Sequence, residues 1–218
     1  DKFLVLGDTN SSVGAIVAKR LNIKVFHMEA GNRCYSDKSP EEINRRIIDH
    51  SSNILLPYTK GSRMNLLKEG ISSKKIITTG NPIKEVIHFN IKKINNSKII
   101  EKLKLKNYKF IVLTLHREEN ADNIKKLGKF INIFNTIVNT FNLKIVWPVH
   151  PRTRKELMKN KIEIDKNIIL LKPLGFIDFI KLEKKCVATI TDSGTVQEES
   201  ALFKIPCAVI REYTERPE

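Results

Sequence analysis

The chain contains no G-x-G-x-x-G, no G-x-x-x-x-G-K-[ST], no H-E-x-x-H and no C-x-x-C. Those absences exclude the dinucleotide loop with which 4-epimerases hold NAD, the Walker phosphate loop, the helical zinc pair and the dithiol redox motif. No cofactor and no metal are expected. Cysteine is scarce: Cys34, Cys186 and Cys207 are scattered and odd in number, as in reduced cytoplasmic proteins rather than disulfide scaffolds. No run approaches the ~18 apolar residues of a membrane span, and no basic n-region with an apolar h-region opens the chain. The expectation is a cytoplasmic protein without a membrane partner.

Acidic residues are outnumbered, 24 against 39 Lys and Arg, which leaves a formal charge of +15. Such a balance invites a nucleic-acid reading. Against it, the lysines run along the whole chain among Ile and Asn, and the aromatics (7%) are not interleaved with them. No base-stacking platform results, so no nucleic-acid partner is expected. A small anionic ligand suits the charge equally well.

What is present is alternation. With 218 residues, 41% of them hydrophobic, the chain can bury one good-sized core or two smaller ones. FLVLG (3–7), KVFHM (24–28), NILLP (53–57) and KIITTG (75–80) read as strands. Between them SSVGAIVAKRL (11–21), capped by Asn10 or Ser11, PEEINRRIIDHS (40–51) and SRMNLLKEG (62–70) read as helices. Residues 91–107 are lysine-rich and weakly patterned, which places a domain boundary there, giving units 1–92 and 93–218. The alternation then restarts. Strands are expected at KFIVLTL (109–115), LKIVWPV (143–149), IILLK (168–172), VATIT (187–191) and PCAVI (206–210). Helices are expected from Asn123 to Asn139, at FIDFIKLEKK (176–185) and at TVQEESALF (195–203). Strand–helix alternation is the signature of parallel βαβ units, here two in series. Both ends read as cut: Asp1 stands one step before an apolar strand, and Glu218 just after a charged motif.

In open parallel sheets the ligand sits beyond the carboxyl ends of the strands. Asp8, His27, Glu29, His116, His150 and Asp192 all fall at such ends. In TDSGTVQEES (191–200), Asp192 and Ser193 are expected to cap a helix whose N-terminus, with Gly194 beside it, would hold an anion. Glu199 lies about one helical turn inside. LTLHREENAD (113–122) sets His116 and Arg117 after a buried strand, which favours a charged ligand. WPVHPRTRKEL (147–157) holds His150 between prolines, either against a phosphate or base or merely at a strand-to-helix turn. HMEAGNRCYSDKSPEEINRR (27–46) crowds ionisable groups beside a buried strand. With Asp8 it offers Asp8, Glu29 and Glu41 from consecutive loops, a set suited to acid–base chemistry. Glu42, Arg45 and Arg46 are expected only to decorate the helix, and His27 and Arg33 receive no role. The isolated His50 and His88 are expected to be structural.

Taken together, GDTNSSVGA, HMEAGNR, SPEEINRR, TGNP, LHREEN, VHPRTR, TDSGTVQEES and REYTERPE resemble, in order, the motifs of the non-hydrolysing UDP-N-acetylglucosamine 2-epimerases. The resemblance covers nearly the whole chain. It implies an α/β, GT-B-like fold: two Rossmann-like domains, the first carrying the sugar-side carboxylates and the second binding UDP, with the nucleotide sugar in the cleft between them. It implies a cytoplasmic homodimer that interconverts UDP-N-acetylglucosamine and UDP-N-acetylmannosamine for surface polysaccharide synthesis. UDP would be eliminated to give 2-acetamidoglucal and then re-added. Asp8, Glu29 and Glu41 match the family's catalytic carboxylates, and His116 its histidine near the diphosphate. Ser193 and Gly194 match the phosphate turn, Glu199 the ribose contact and Arg216 an arginine near substrate; Arg117 and His150 complete the expected UDP-binding set.

HREEN in place of the commoner HRREN, and NR-x-x-x-DH after SPEE, occur also in enzymes making UDP-N-acetyl-L-fucosamine from a 6-deoxy sugar. That substrate stays open, as does a GT-B glycosyltransferase. The family's first strand, with its phosphate loop, and its last helices would lie outside the sequence.

Overall fold

The computed structural model of the chain describes all residues except 37, 118, 119, 121, 122 and 218. Asp37 and the two glutamates of LHREEN therefore lie outside the described residues. Contacts divide the chain into two units, Asp1–Ile83 with Glu212–Glu218, and Lys84–Arg211. Among the described residues no helix is long and apolar enough to cross a membrane.

The first unit is built on three parallel strands, β1 (Lys2–Leu6), β2 (Lys24–Met28) and β3 (Ile54–Leu56), side by side in that order. Helices α1 (Gly14–Arg20), α2 (Pro40–Ser51) and α3 (Lys60–Lys68) make the crossovers. Val5, Ala15, Ala18, Val25 and Ile48 form one core cluster, and Ala30, Leu55, Leu66 and Ile76 a second. Proline at the first position of α2 supplies a preset φ where no N–H is required. Two expectations are corrected. The chain before α1 forms a 3-10 turn (Asn10–Val13) that neither Asn10 nor Ser11 caps, because the Asn10 side-chain oxygen accepts from Asn44 Nδ2 instead. KIITTG is not a regular strand: Ile76 makes a single bridge to Leu55, and Pro57 has no N–H with which to extend the ladder.

The second unit begins with α4 (Ile83–Phe89), one residue of which belongs to the first, and continues with α5 (Ile91–Asn96) and α6 (Ile99–Lys102). The lysine-rich stretch thus forms two short helices, with Ile94, Ile99 and Leu105 buried. Five parallel strands follow: β4 (Phe110–Thr114), β5 (Lys144–Pro148), β6 (Ile168–Leu171), β7 (Ala188–Thr191) and β8 (Cys207–Val209). Their spatial order is β6-β5-β4-β7-β8. β4 is central and must be covered on both faces, which is why Phe110, Ile111, Val112 and Leu113 are an unbroken apolar run and all buried. Helix α7 (Ile124–Phe141) covers one face with Leu127, Ile131, Phe134 and Val138, spaced by three and four residues, against Trp147 and its neighbours. Asn123 caps this helix by accepting from Lys126 N–H, and Asn142 ends it in the left-handed conformation. Helices α8 (Pro151–Lys159), α9 (Phe176–Glu183) and α10 (Gly194–Phe203) complete the unit.

The loop after β2 is locked by buried ions. Arg33, 2% exposed, donates Nε and Nη2 to the two oxygens of Glu69, each at 2.7 Å, and Nη1 lies 2.8 Å from Asp49 Oδ2. Burial alone would ease its proton off, but the Glu69 and Asp49 carboxylates hold it above the ordinary arginine value. Asp49 also accepts from Gly31 N–H, and its Oδ1 lies 2.7 Å from His27 Nδ1, while His27 Nε2 reaches the Gly7 carbonyl at 3.1 Å. His27 and Arg33 are thus framework residues. Outside this knot, His50 also meets Glu69, at 3.2 Å. Gly31 passes so close to α3 that a Cβ would sit 2.2 Å from the Ser62 carbonyl oxygen, at a φ of +81° that side chains disfavour. Gly31→Ala is therefore expected to lower the melting temperature by on the order of 10 °C; a thermal melt within 2–3 °C of wild type would show that the loop yields.

Candidate functional site

In the order β6-β5-β4-β7-β8 the winding reverses between β4 and β7, with β5 and β6 on one side of β4 and β7 and β8 on the other. Neighbouring strands leave for opposite faces there, which opens a crevice at their carboxyl ends. His116 follows β4 by two residues, and Asp192 and Ser193 follow β7 directly.

Asp192, with 0% exposure, ties these two strand ends together. Its carboxylate accepts from the backbone N–H groups of His116 and Arg117, at 3.2 and 3.0 Å, and from Asn120 Nδ2 at 3.1 Å. The His116 ring joins with Nδ1 2.9 Å from Oδ1, and Arg117 Nε donates to the Asp192 carbonyl. Burial by itself would raise this carboxyl, but the His116, Asn120 and Arg117 donors outweigh it and hold it below the ordinary aspartate range. The expected capping role is thereby corrected: Asp192 spends its oxygens on the β4 loop, and the Ser193 side chain makes no capping hydrogen bond. The first turn of α10 therefore presents its N–H groups and positive dipole end without a side-chain cap, the environment that suits phosphate oxygens. With Nδ1 committed to Asp192 and 57% of the side chain exposed, His116 offers Nε2 to a ligand.

A cavity of about 300 Å³ lies at this point, lined by Thr114, His116, Phe179, Ser193, Thr195, Val196 and Glu199. It joins three residues singled out in the sequence, His116, Ser193 and Glu199. Gly194 is the first residue of α10, at the same helix end. Arg117 is held by Asp192, and His150 sits at the start of α8, where its Nδ1 accepts from Arg152 N–H. His150 thus stands at the strand-to-helix turn and is not among the residues lining this cavity.

In the first unit the strand-end carboxylates belong to a chain of ion pairs. Asp8 Oδ2 accepts from Arg45 Nε at 2.7 Å; Arg45 also reaches Glu42 at 3.1 Å and Glu215 at 3.7 Å. Glu215 pairs with Arg216, whose Nη2 lies 2.6 Å from Glu29 Oε1. Asn32 Nδ2 donates to the same Glu29 oxygen at 3.2 Å. Glu29 has a φ of 67°, a conformation costing a non-glycine residue roughly 1 kcal/mol or more and found disproportionately at functional sites. Glu41 accepts from Ser39 Oγ at 2.8 Å and stands four residues before Arg45, on the same side of α2.

Glu42 corrects the expectation of mere decoration. It is 1% exposed and accepts from Cys34 N–H and Tyr35 N–H while pairing with Arg45 and Arg46. Burial would raise it, yet the Cys34 donors and the Arg33 and Arg45 charges hold it below the ordinary glutamate range. Arg45, 3% exposed, is likewise a hub. Its burial was legible: Glu42, Arg45, Ile48 and Asp49 follow one helical stripe. Sequence reasoning also passed over Asn120, which links Asp192 to the Ile210 carbonyl, and Glu183.

A family model described as UDP-N-acetylglucosamine 2-epimerase matches residues 1–218. A Methanococcus maripaludis protein named UDP-N-acetylglucosamine 2-epimerase is 43% identical over all of this chain and 62% of its own length. The Methanocaldococcus jannaschii UDP-GlcNAc 2-epimerase, solved in complex with UDP-GlcNAc and UDP, superimposes with a TM-score of 0.86 at 38% identity, over 98% of this chain and 61% of that one. The S. aureus MnaA–UDP co-structure gives 0.88 at 32% identity, over 100% and 58%. The chain thus spans about three-fifths of the length of these relatives, and its two parallel-sheet units are of the GT-B-like α/β class. The chain belongs to the UDP-N-acetylglucosamine 2-epimerase family.

Proposed function

We propose that the whole protein is a non-hydrolysing 2-epimerase that interconverts UDP-N-acetylglucosamine and UDP-N-acetylmannosamine. The observation that carries this reading is the cavity at the winding reversal, where His116, an uncapped helix N-terminus and a buried carboxyl, Glu199, come together. A nucleoside diphosphate has the matching parts: phosphate oxygens for the α10 N–H groups and His116, and vicinal ribose hydroxyls for Glu199. The relatives solved with UDP support the same assignment. In this reading the two units correspond to the sugar-side and nucleotide-side domains, and the protein works as a cytoplasmic homodimer supplying surface polysaccharide synthesis.

The chemical problem is a weakly acidic C2–H. Removing that proton as UDP leaves C1 gives 2-acetamidoglucal, and re-addition of UDP after protonation on the other face gives the epimer. Asp8, Glu29 and Glu41 are the proton-transfer candidates, and Arg216 a substrate contact that also fixes Glu29. Stabilising the departing diphosphate falls to His116, Arg117, Ser193 and Gly194, with His150 as a further contact. A second reading keeps the reaction and changes the sugar: HREEN and NR-x-x-x-DH occur also in enzymes that act on a 6-deoxy substrate and lead to UDP-N-acetyl-L-fucosamine.

Turnover of UDP-N-acetylglucosamine by the full-length protein in deuterated water is expected to place deuterium at C2, read by NMR. Product sugar unlabelled at C2 would point to a glycosyltransferase instead. Offering both candidate UDP-sugars in parallel assigns the substrate. Asp8→Asn and Glu41→Gln are each expected to slow C2 exchange by roughly 10²–10⁴ while UDP still binds. Near-normal exchange in either variant removes that residue from the mechanism.

A further inference from the structure

Glu183, the last residue of α9, has 0% exposure, and among the described residues neither of its carboxyl oxygens meets an N–H or hydroxyl donor. The group it meets is the carboxyl of Glu199 on α10, itself 4% exposed. Two ionised carboxylates repel and cannot hydrogen-bond, so this buried contact requires at least one proton between them. Among the described residues, Cys207 on β8 and Cys186 beyond α9 face Glu183, Glu198 faces Glu199, and His116 lines the same cavity as Glu199. Burial raises both carboxyls, Glu183 to about 10 and Glu199 to about 7; the Glu199 charge adds to the first shift, and the hydrogen bond from Glu183 tempers the second. Burial also pushes the Cys186 thiol up to about 12.

Glu199 additionally lines the cavity that holds His116, Ser193 and Thr195. We propose that Glu183 is a positioning residue whose carboxyl proton is donated to one oxygen of Glu199, so that Glu199 meets the nucleotide ionised. An ionised carboxylate accepts two hydrogen bonds, which matches the vicinal hydroxyls of a ribose; a protonated one accepts less well. The proposal rests on reading the cavity as the nucleotide site. Its sign in pH follows from the order in which protons leave. Below neutrality both carboxyls are protonated and binding is weak. As Glu199 ionises, binding strengthens, and it weakens again once Glu183 loses its own proton on the alkaline side.

The test is UDP affinity by titration calorimetry between pH 6 and 10.5, on full-length wild type, Glu183→Gln and Glu183→Met, with a melting curve for each. Ionisation of UDP itself is common to all three and cancels in the comparison. Wild type is expected to gain roughly tenfold in affinity from pH 6 to 8, the change in ionised fraction of one group titrating near 7, and to decline near pH 10. Glu183→Gln keeps a donor and has no proton to lose, so it should stay within about threefold of wild type at pH 7.5 and decline less than wild type on the alkaline side, keeping only the part that ionisation of the UDP uracil causes. Glu183→Met leaves Glu199 buried without its donor, so its profile should move to higher pH and its affinity at pH 7.5 fall by about tenfold. A wild-type profile in Glu183→Met, or a Glu183→Gln as weak as Glu183→Met, overturns the proposal. An alkaline decline in Glu183→Gln as large as that of wild type overturns it even if Glu183→Met does not fold. Absence of UDP binding by wild type at every pH overturns the nucleotide reading and this proposal with it, whereas pH-profiles unaffected by either substitution overturn the proposal alone.

Discussion

A single buried carboxylate organises the crevice of the second unit. Asp192 stands at the end of β7 and accepts N–H donors from His116, Arg117 and Asn120, all of which follow β4. Strand pairing alone holds β4 and β7 together only as far as Thr114 and Thr191. Beyond that point one more backbone bond runs from Asp192 N–H to the Thr114 carbonyl, and the N–H groups of His116 and Arg117 go to one side chain. A buried carboxylate without donors would cost several kcal/mol, so the donors and the charge fix each other. Two consequences follow from where Asp192 spends its oxygens. The α10 N-terminus is left for a ligand, and the His116 ring is oriented with one nitrogen outward.

The other unit uses the same device with more members. Asp49 collects Arg33, His27 and Gly31 N–H around the β2 exit, and Arg45 collects Asp8, Glu42 and Glu215. The arginines differ in what they hold. Arg33 holds framework groups, the Glu69 and Asp49 carboxylates and the Asn32 carbonyl, so its contribution is rigidity. Arg45 holds a candidate catalytic group, Asp8, and so couples the placement of that carboxylate to a helix buried in the core. The buried ions of this fold thus sort into those that hold loops and those that aim side chains, and Asp192 does both. The Glu183–Glu199 pair is a third kind, in which one acid is held by another and a proton takes the place of a cation.

Much of this was legible in the sequence because strand–helix alternation and strand-end motifs are local signals. β2 and α2 run over the residues read from their patterns, and the His116 and Ser193 loops fall beyond buried strands as expected. Failures arose where a residue's partner is distant in sequence. Nothing near Asp192 says that its donors stand more than 70 residues away, so a local capping role looked sufficient. Glu42 sits in a first helical turn, where acids are commonplace, and only its contact with the Cys34 loop reveals a buried anchor. Glu183 did carry a signal: it continues the stripe of Phe176, Phe179 and Ile180 at helical spacing, so an acid occupied a position patterned for the core. The strand expected at KIITTG failed for a tertiary reason, since its register against β3 meets a proline.

The claim on which the functional account turns is that Asp192 builds the nucleotide site. Asp192→Asn is nearly isosteric, but its amide group would face N–H donors where the carboxylate faces them as an acceptor. Calorimetric titration of UDP into the full-length variant, set beside its melting curve, tests this most directly. The account predicts a folded protein whose UDP affinity falls by about tenfold or more, the equivalent of about one lost charged hydrogen bond. Undiminished UDP affinity in a folded Asp192→Asn protein would contradict it.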